Sequence, residues 1–261
     1  MLTVLKSKLE EAALLAVRSS TRETPLEFAD ALLGCVTHDD HQELSLLACA
    51  SAMWCGAPPE KGLPMAVAAL MLRSGISAHV SLAGFREQVR GYPILLEGCS
   101  DATTILCGDG LLALGIQHLA ENGGLHSAEL VADAVNALGA HGVLAGLSLE
   151  MSCDGTAVLV PDGRRIWEIT SGRLSMLAAK GGALLAGASD NMLDDAALAG
   201  LLIGRARFLA RGGWTPSMEG LKGKTSFEAA TLIEQAEAIV GHGPESALFS
   251  SIMYFSDFAG T

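Results

Sequence analysis

Positive charge is scarce in this chain. Lys and Arg total 17 against 29 Asp and Glu, which leaves a net charge of −12. Between Arg90 and Arg164 there is no Lys or Arg at all, while nine acidic residues fall there. Such a surface repels nucleic acid and anionic lipid, so neither is expected as a partner. Aromatic residues are also few, at 5% of the 261 residues. The core must therefore be built from Ala, Leu, Val, Ile and Met. Charged residues of both signs reach only 18%, against roughly 25% in an ordinary soluble domain. Much of the surface of its elements is thus expected to be covered, by a core, an oligomer contact or both.

Other absences narrow the class further. None of the six cysteines (Cys35, Cys49, Cys55, Cys99, Cys107, Cys153) forms a C-x-x-C pair. Several lie inside apolar helical pattern, where a free thiol behaves as a small hydrophobe. The expectation is reduced, buried thiols in a cytoplasmic protein. The longest apolar runs, such as Leu63 to Leu72, are about half of what a membrane span needs, so no span is expected. The first twenty residues carry Lys6, Lys8, Glu10, Glu11 and Arg18, which reads as an amphipathic helix and not as a signal peptide. Gly108-Asp109-Gly110 is not followed by Lys-Ser or Lys-Thr, so there is no phosphate-binding P-loop. No long polar linker or repeat divides the chain, and residues 1–261 read as one domain.

What the chain does have is helical periodicity. Leu2, Leu5, Leu9, Ala13 and Val17 repeat at helix spacing. Pro25 restarts a helix with Leu26, Ala29, Leu32, Leu33 and Val36 on one stripe. Further helices are expected over 43–55, 62–79, 101–121 (capped by Ser100 or Asp101), 127–151, 166–188, 194–210, 226–240 and 244–255. Residues 81–97 read as loop with short helix, and 157–160 could be a small hairpin strand. The expected class is all-α, a single-domain helical bundle.

One segment is distinctive. Ala102-Thr103-Thr104-Ile105-Leu106-Cys107-Gly108-Asp109-Gly110-Leu111-Leu112 resembles the "ATAILAGDALL" segment of the trans-isoprenyl diphosphate synthases, the polyprenyl synthetases. More matches follow in order. Ala145 to Glu150 sits where that family has "AGQALD", and Thr170-Ser171-Gly172 where it has "KTG". Gly182 to Gly187 sits where it has "LGALLAG", and Lys222 to Thr225 resembles its late "GKAT" segment. The resemblance runs over roughly residues 25 to 240. It implies a bundle of the isoprenoid synthase type around a central cavity, usually dimeric, with Mg²⁺-dependent prenyl transfer as its chemistry.

That chemistry needs residues this sequence does not have. The family's diphosphate leaving group is neutralised by Mg²⁺ held in two Asp-rich clusters, because Mg²⁺ takes hard oxygen donors in strict geometry. The first cluster should lie near Ser77-Ala78-His79 and just beyond, yet no aspartate occurs between Asp40 and Asp101. The second should fall near Arg207 to Gly213, and no carboxylate occurs between Asp195 and Glu219. The family's basic run before the helix at Glu43 is replaced by His38-Asp39-Asp40-His41, whose sign is wrong for a diphosphate. The family's Lys-Thr is replaced by Thr170-Ser171, and its Gln by Leu147. The sequence therefore assigns no catalytic, cofactor-binding or metal-binding residue, and the family's Mg²⁺ sites read as lost.

The remaining polar clusters read as structural. His38 to His41 fits a solvated loop better than a metal site. Asp194-Asp195 reads as helix N-cap and first-turn charge. Asp109, His79 and His118 read as groups satisfied within the bundle. Arg205, Arg207 and Arg211 read as a solvated face that could otherwise hold an anion or a partner's acids. The function expected is that of a non-enzyme: a catalytically inactive or regulatory subunit in isoprenoid biosynthesis. It would form a homodimer, or a heterodimer with an active isoprenyl diphosphate synthase. The alternatives are a protein that binds an apolar ligand, lipid or prenyl, and a divergent prenyltransferase with a non-standard site.

Overall fold

Leu5, Leu9, Ala13 and Val17 recur every four residues and form the buried stripe of α1 (Leu2–Ser20). A computed structural model describes residues 1–37, 42–82, 98–152, 168–210 and 222–253 of the protein, together with Leu96, Arg165 and Ile166. After α1 come α2 (Leu26–Val36), α3 (Gln42–Ser45) and α4 (Leu47–Trp54). A short 3₁₀ turn, Pro59–Gly62, leads into α5 (Leu63–Val80). The middle of the chain forms α6 (Asp101–Asn122), α7 (Ser127–Leu138) and α8 (Val143–Ser152). A π-helical turn, Glu168–Gly172, opens α9 (Arg173–Leu185), and α10 (Asp190–Ala210), α11 (Lys222–Val240) and α12 (Ala247–Met253) follow. Among the described residues there is no strand, as the helical periodicity expects.

α5 is buried on all sides from Met65 to Leu72, which marks a helix enclosed by others. It packs against α6, and α9 packs in turn against both α4 and α10. Close approach depends on small residues. A Cβ on Gly182 of α9 would run into the carbonyl of Ala48 on α4, so only glycine allows these backbones to meet. α6 runs antiparallel to α5, since Gly75 faces Gly108 while Leu72 faces Gly115. The helix start is capped as expected: the Ser100 hydroxyl accepts the Thr103 N–H at 3.1 Å.

Several expectations are corrected. The helix expected over 127–151 is two helices, broken at Gly139 to Gly142. A side chain at Gly142 would strike the Ala137 carbonyl, so the bend requires glycine. The helix expected over 43–55 is interrupted at Leu46. α10 begins at Asp190, so Asp194 and Asp195 are exposed residues of its second turn and not its cap. Cys35, Cys49 and Cys107 are buried and free, but Cys55 is half-buried and Cys99 is exposed. Burial pushes the Cys35 and Cys49 thiols up to about 12, and Cys107 up to about 11. The hairpin expected at 157–160, Cys153, and nearly all of 81–97 lie outside the described residues.

Two stretches are long and apolar enough to cross a membrane by length and composition, Pro59–Val80 and Gly124–Ser152. The most apolar window of the first is 78% buried inside the bundle. The second is not one helix, and neither α7 nor α8 alone approaches the roughly 20 residues of a span.

Candidate functional site

The expected metal clusters would sit at the C-terminal ends of α5 and α10, so those ends and the groups between them form the candidate site. At the end of α5, Val80 and Ser81 are buried, and the Ser81 hydroxyl donates to the Ala78 carbonyl at 2.8 Å. Beside them His79 lies against Gly108, with Nε2 3.3 Å from Asp109 Oδ1. His79 and Asp109 thus pair with each other across α5 and α6, as the reading of both as satisfied bundle residues expects.

A hydrogen-bonded chain crosses from α5 to α10. Arg73 donates to the Ser175 hydroxyl at 3.4 Å. Ser175 donates to the Ser171 carbonyl at 3.0 Å, and Ser171 donates to the Gly204 carbonyl, also at 3.0 Å. Thr170 donates to the Ile166 carbonyl at 2.8 Å. The hydroxyls of Thr170 and Ser171, which replace the family's Lys-Thr, are both turned onto backbone carbonyls of their own chain. Gly204 lets this happen, because a Cβ there would overlap the Ser175 side chain.

At the end of α10 the side chain is Arg207, and it is almost fully enclosed, with 3% of it exposed. One Nη atom donates to Glu43 Oε2 at 2.6 Å and the other to the Ile252 carbonyl at 3.0 Å. The second Glu43 oxygen accepts from Lys6 Nζ at 2.7 Å. Four elements meet here: α1, α3, α10 and α12. Arg205, two residues earlier, is partly buried, and its guanidinium lies 3.8 Å from Glu168 and 4.0 Å from Glu228. The expectation of a solvated arginine face is therefore corrected for Arg205 and Arg207, whose charges face acids of the same chain; Arg211 lies outside the described residues.

Glu150 on α8 was not singled out by its own chemistry in the sequence, although it closes the Ala145–Glu150 match. It is buried, and its Oε1 has no hydrogen-bond partner among the described residues. Burial raises its carboxyl to about 7, so it keeps its proton to a higher pH than an ordinary carboxyl. It lies one helical turn beyond Gly146, whose open face receives Thr170 and Ile169.

A separate groove of about 350 Å³ lies between α1 and α6. Ala12, Ala16, Met71 and Leu114 form its apolar part, and His118, Gln117 and Glu121 its polar part. His118 is held below its usual pKa by burial, and its Nδ1 lies 3.3 Å from the Asn122 amide.

No protein-family model matches the chain, and no curated protein matches it by sequence. Solved structures do match. An apo FPP/GFPP synthase from Zymomonas mobilis superimposes with a TM-score of 0.77 at 21% identity, over 96% of this chain and 98% of that one. A deletion mutant of heterotetrameric geranyl pyrophosphate synthase from mint, in complex with ligands, gives 0.76 at 18% over 96% and 99%. The geranyl diphosphate synthase small subunit from Antirrhinum majus gives 0.68 at 14% over 95% and 98%.

The fold is that of the trans-isoprenyl diphosphate synthases. Within this isoprenyl synthase fold, the described residues at the two helix ends are few in hard oxygen donors. Val80 and Ser81 stand at one and the Arg207 guanidinium near the other, whereas Mg²⁺ takes several hard oxygen ligands; residues 83–95 and 211–221, into which both expected clusters would extend, lie outside the described residues. Among the described residues no group of three or more His, Cys, Asp or Glu is placed to hold a metal ion. His38 to His41, opposite in sign to the basic run of the resemblance, lie outside the described residues.

Proposed function

We propose that this chain is a non-catalytic subunit of isoprenyl synthase fold, acting in isoprenoid biosynthesis beside an active prenyl synthase. The observation that carries the proposal is the ion pair of Arg207 with Glu43. A guanidinium enclosed by its own chain lies in the stretch, Arg207 to Gly213, where the resemblance expects a carboxylate cluster for Mg²⁺. A cation there opposes a second cation instead of binding it. The absence of any aspartate between Asp40 and Asp101 extends the same argument to the first expected metal cluster. Two of the solved structures it matches come from divided assemblies, one a chain of a heterotetramer and one a small subunit, which supports a partnered role.

In this reading the partner supplies the metals and the transfer chemistry, and this chain changes the partner's stability or product length. The test is co-expression with an intact homologue, followed by sizing and product analysis. A stable mixed assembly with an altered product is expected. Failure to form any mixed assembly counts against the proposal.

The groove between α1 and α6 favours a second reading, binding of an apolar ligand, because its volume lies within the range of small-molecule sites. Mass spectrometry of the purified protein under non-denaturing conditions should then show a co-purifying hydrophobe, and a clean apoprotein mass rejects this reading.

A further inference from the structure

The small side chains of Ala12 and Ala16 on α1 leave a gap against Leu114 on α6, and buried Met71 of α5 also lines it. Leu15 lines the same gap and is 67% exposed. These three helices lie wholly within the described residues, so the walls of the groove are fully seen. Met71 comes about ten residues before Ser81 on α5, roughly 15 Å along the helix. The groove is therefore separate from the helix ends where metal clusters were expected.

The last turns of α6 give the groove its polar part. The Asn122 side-chain amide donates to the His118 carbonyl at 3.0 Å and to His118 Nδ1 at 3.3 Å. An amide nitrogen only donates, so Nδ1 is the acceptor and the ring proton sits on Nε2. Burial holds His118 below its usual pKa, which leaves the ring neutral at pH 7. Glu121, three residues on, accepts from the Gln117 amide at 2.8 Å through one oxygen. A carboxylate has about four acceptor positions, so one such bond leaves it free to accept more. No Lys or Arg lines the groove, and Arg18, beside Ser19 on α1, is not among its walls. The groove thus offers one uncharged N–H donor, one anionic acceptor and an apolar bed.

We propose that this groove binds a long-chain alcohol, its hydroxyl accepting from His118 Nε2 and donating to Glu121, in preference to the same chain ending in a phosphate. The proposal rests on the apolar-ligand reading above and adds the head group to it. A hydroxyl both donates and accepts, which matches the pair of protein groups. A phosphate brings negative charge beside Glu121 with no cation in the walls to offset it. An ammonium suits Glu121 but has nothing with which to accept from the imidazole. The apolar walls hold any chain, and the two polar side chains choose among heads.

Calorimetric titration of the purified chain with n-decanol, decyl phosphate and decylamine, each below its micelle threshold, reads that choice. Decanol should bind about tenfold more tightly than either of the others. His118→Phe keeps a ring and removes the donor, and should weaken decanol about fivefold. Glu121→Gln keeps an acceptor and removes the charge, so it should strengthen decyl phosphate severalfold and leave decanol within about twofold. Ala16→Trp should fill the groove and abolish binding. Thermal unfolding of each variant checks that the fold is kept. Decyl phosphate or decylamine binding as tightly as decanol, or indifference to His118→Phe, overturns the head-group assignment and leaves the apolar-ligand reading standing. Decanol binding that survives Ala16→Trp moves the ligand out of this groove and overturns the proposal. Failure of all three compounds to bind removes both readings.

Discussion

Changing Glu43 to Gln should be among the most damaging single substitutions in the protein. Glu43 is buried and bridges two cations, Arg207 at 2.6 Å and Lys6 at 2.7 Å. Its loss leaves a guanidinium that is 3% exposed facing a neutral amide. Removing one partner of a buried ion pair costs about 3–5 kcal/mol, chiefly because the other charge stays out of water. The reverse change, Arg207→Met, should cost less, because Lys6 still neutralises the carboxylate. The double variant should cost less than the two singles added, with about 1–3 kcal/mol of coupling between the sites. Urea unfolding of the four proteins supplies the cycle. At about 2–4 °C per kcal/mol for a chain of this size, Glu43→Gln should lower Tm by roughly 6–20 °C. Additive costs, or a loss below about 1 kcal/mol for Glu43→Gln, would refute the view that this ion pair ties α3 to α10.

Other consequences can be checked on the chain alone. Glu150 has its carboxyl raised to about 7 from an ordinary 4.5, so the folded state binds more protons than the unfolded one between those values. Stability should fall as pH rises through that window, by about 3 kcal/mol at most. Glu150→Gln should flatten this profile in denaturant titrations, and an unchanged profile contradicts it. Gly182→Ala should cost about 1–3 kcal/mol by forcing α9 away from the Ala48 carbonyl, and full retention of stability would show that these backbones can part freely. A maleimide should label exposed Cys99 in the native protein well before Cys35, Cys49 or Cys107. Peptide mapping decides that order, and equal labelling rates reject the burial described for them.

The helices were legible in the sequence wherever an apolar stripe ended in a clear signal. Ser100 capped α6 as expected, and Gly56 followed the end of α4 at positive φ. The break between α7 and α8 was not read, because apolar spacing continues across it. Gly139 and Gly142 were the available sign, and only the carbonyl beneath Gly142 shows that they are required. Thr170 and Ser171 were recognised as replacements for the family's Lys-Thr, but where their hydroxyls point depends on the backbone of Ile166 and of Gly204 on another helix. Arg207 was misread for a related reason. Its partner Glu43 is 164 positions away in sequence, and no local spacing reveals such a pair. The hint was the setting: a charge inserted into Ala206, Phe208 and Leu209, all of them buried. Glu150 shows the same pattern, an acid on a helix whose Val143, Gly146 and Leu147 face inward.

The role of this polypeptide depends on whether it can itself join prenyl units. Incubation of the purified chain with allylic and isopentenyl diphosphates and Mg²⁺, read by chromatography of the extracted products, asks this directly. No chain elongation above a heat-killed control is predicted, while an active synthase assayed in parallel elongates. Elongation by the purified chain without any partner would contradict the account.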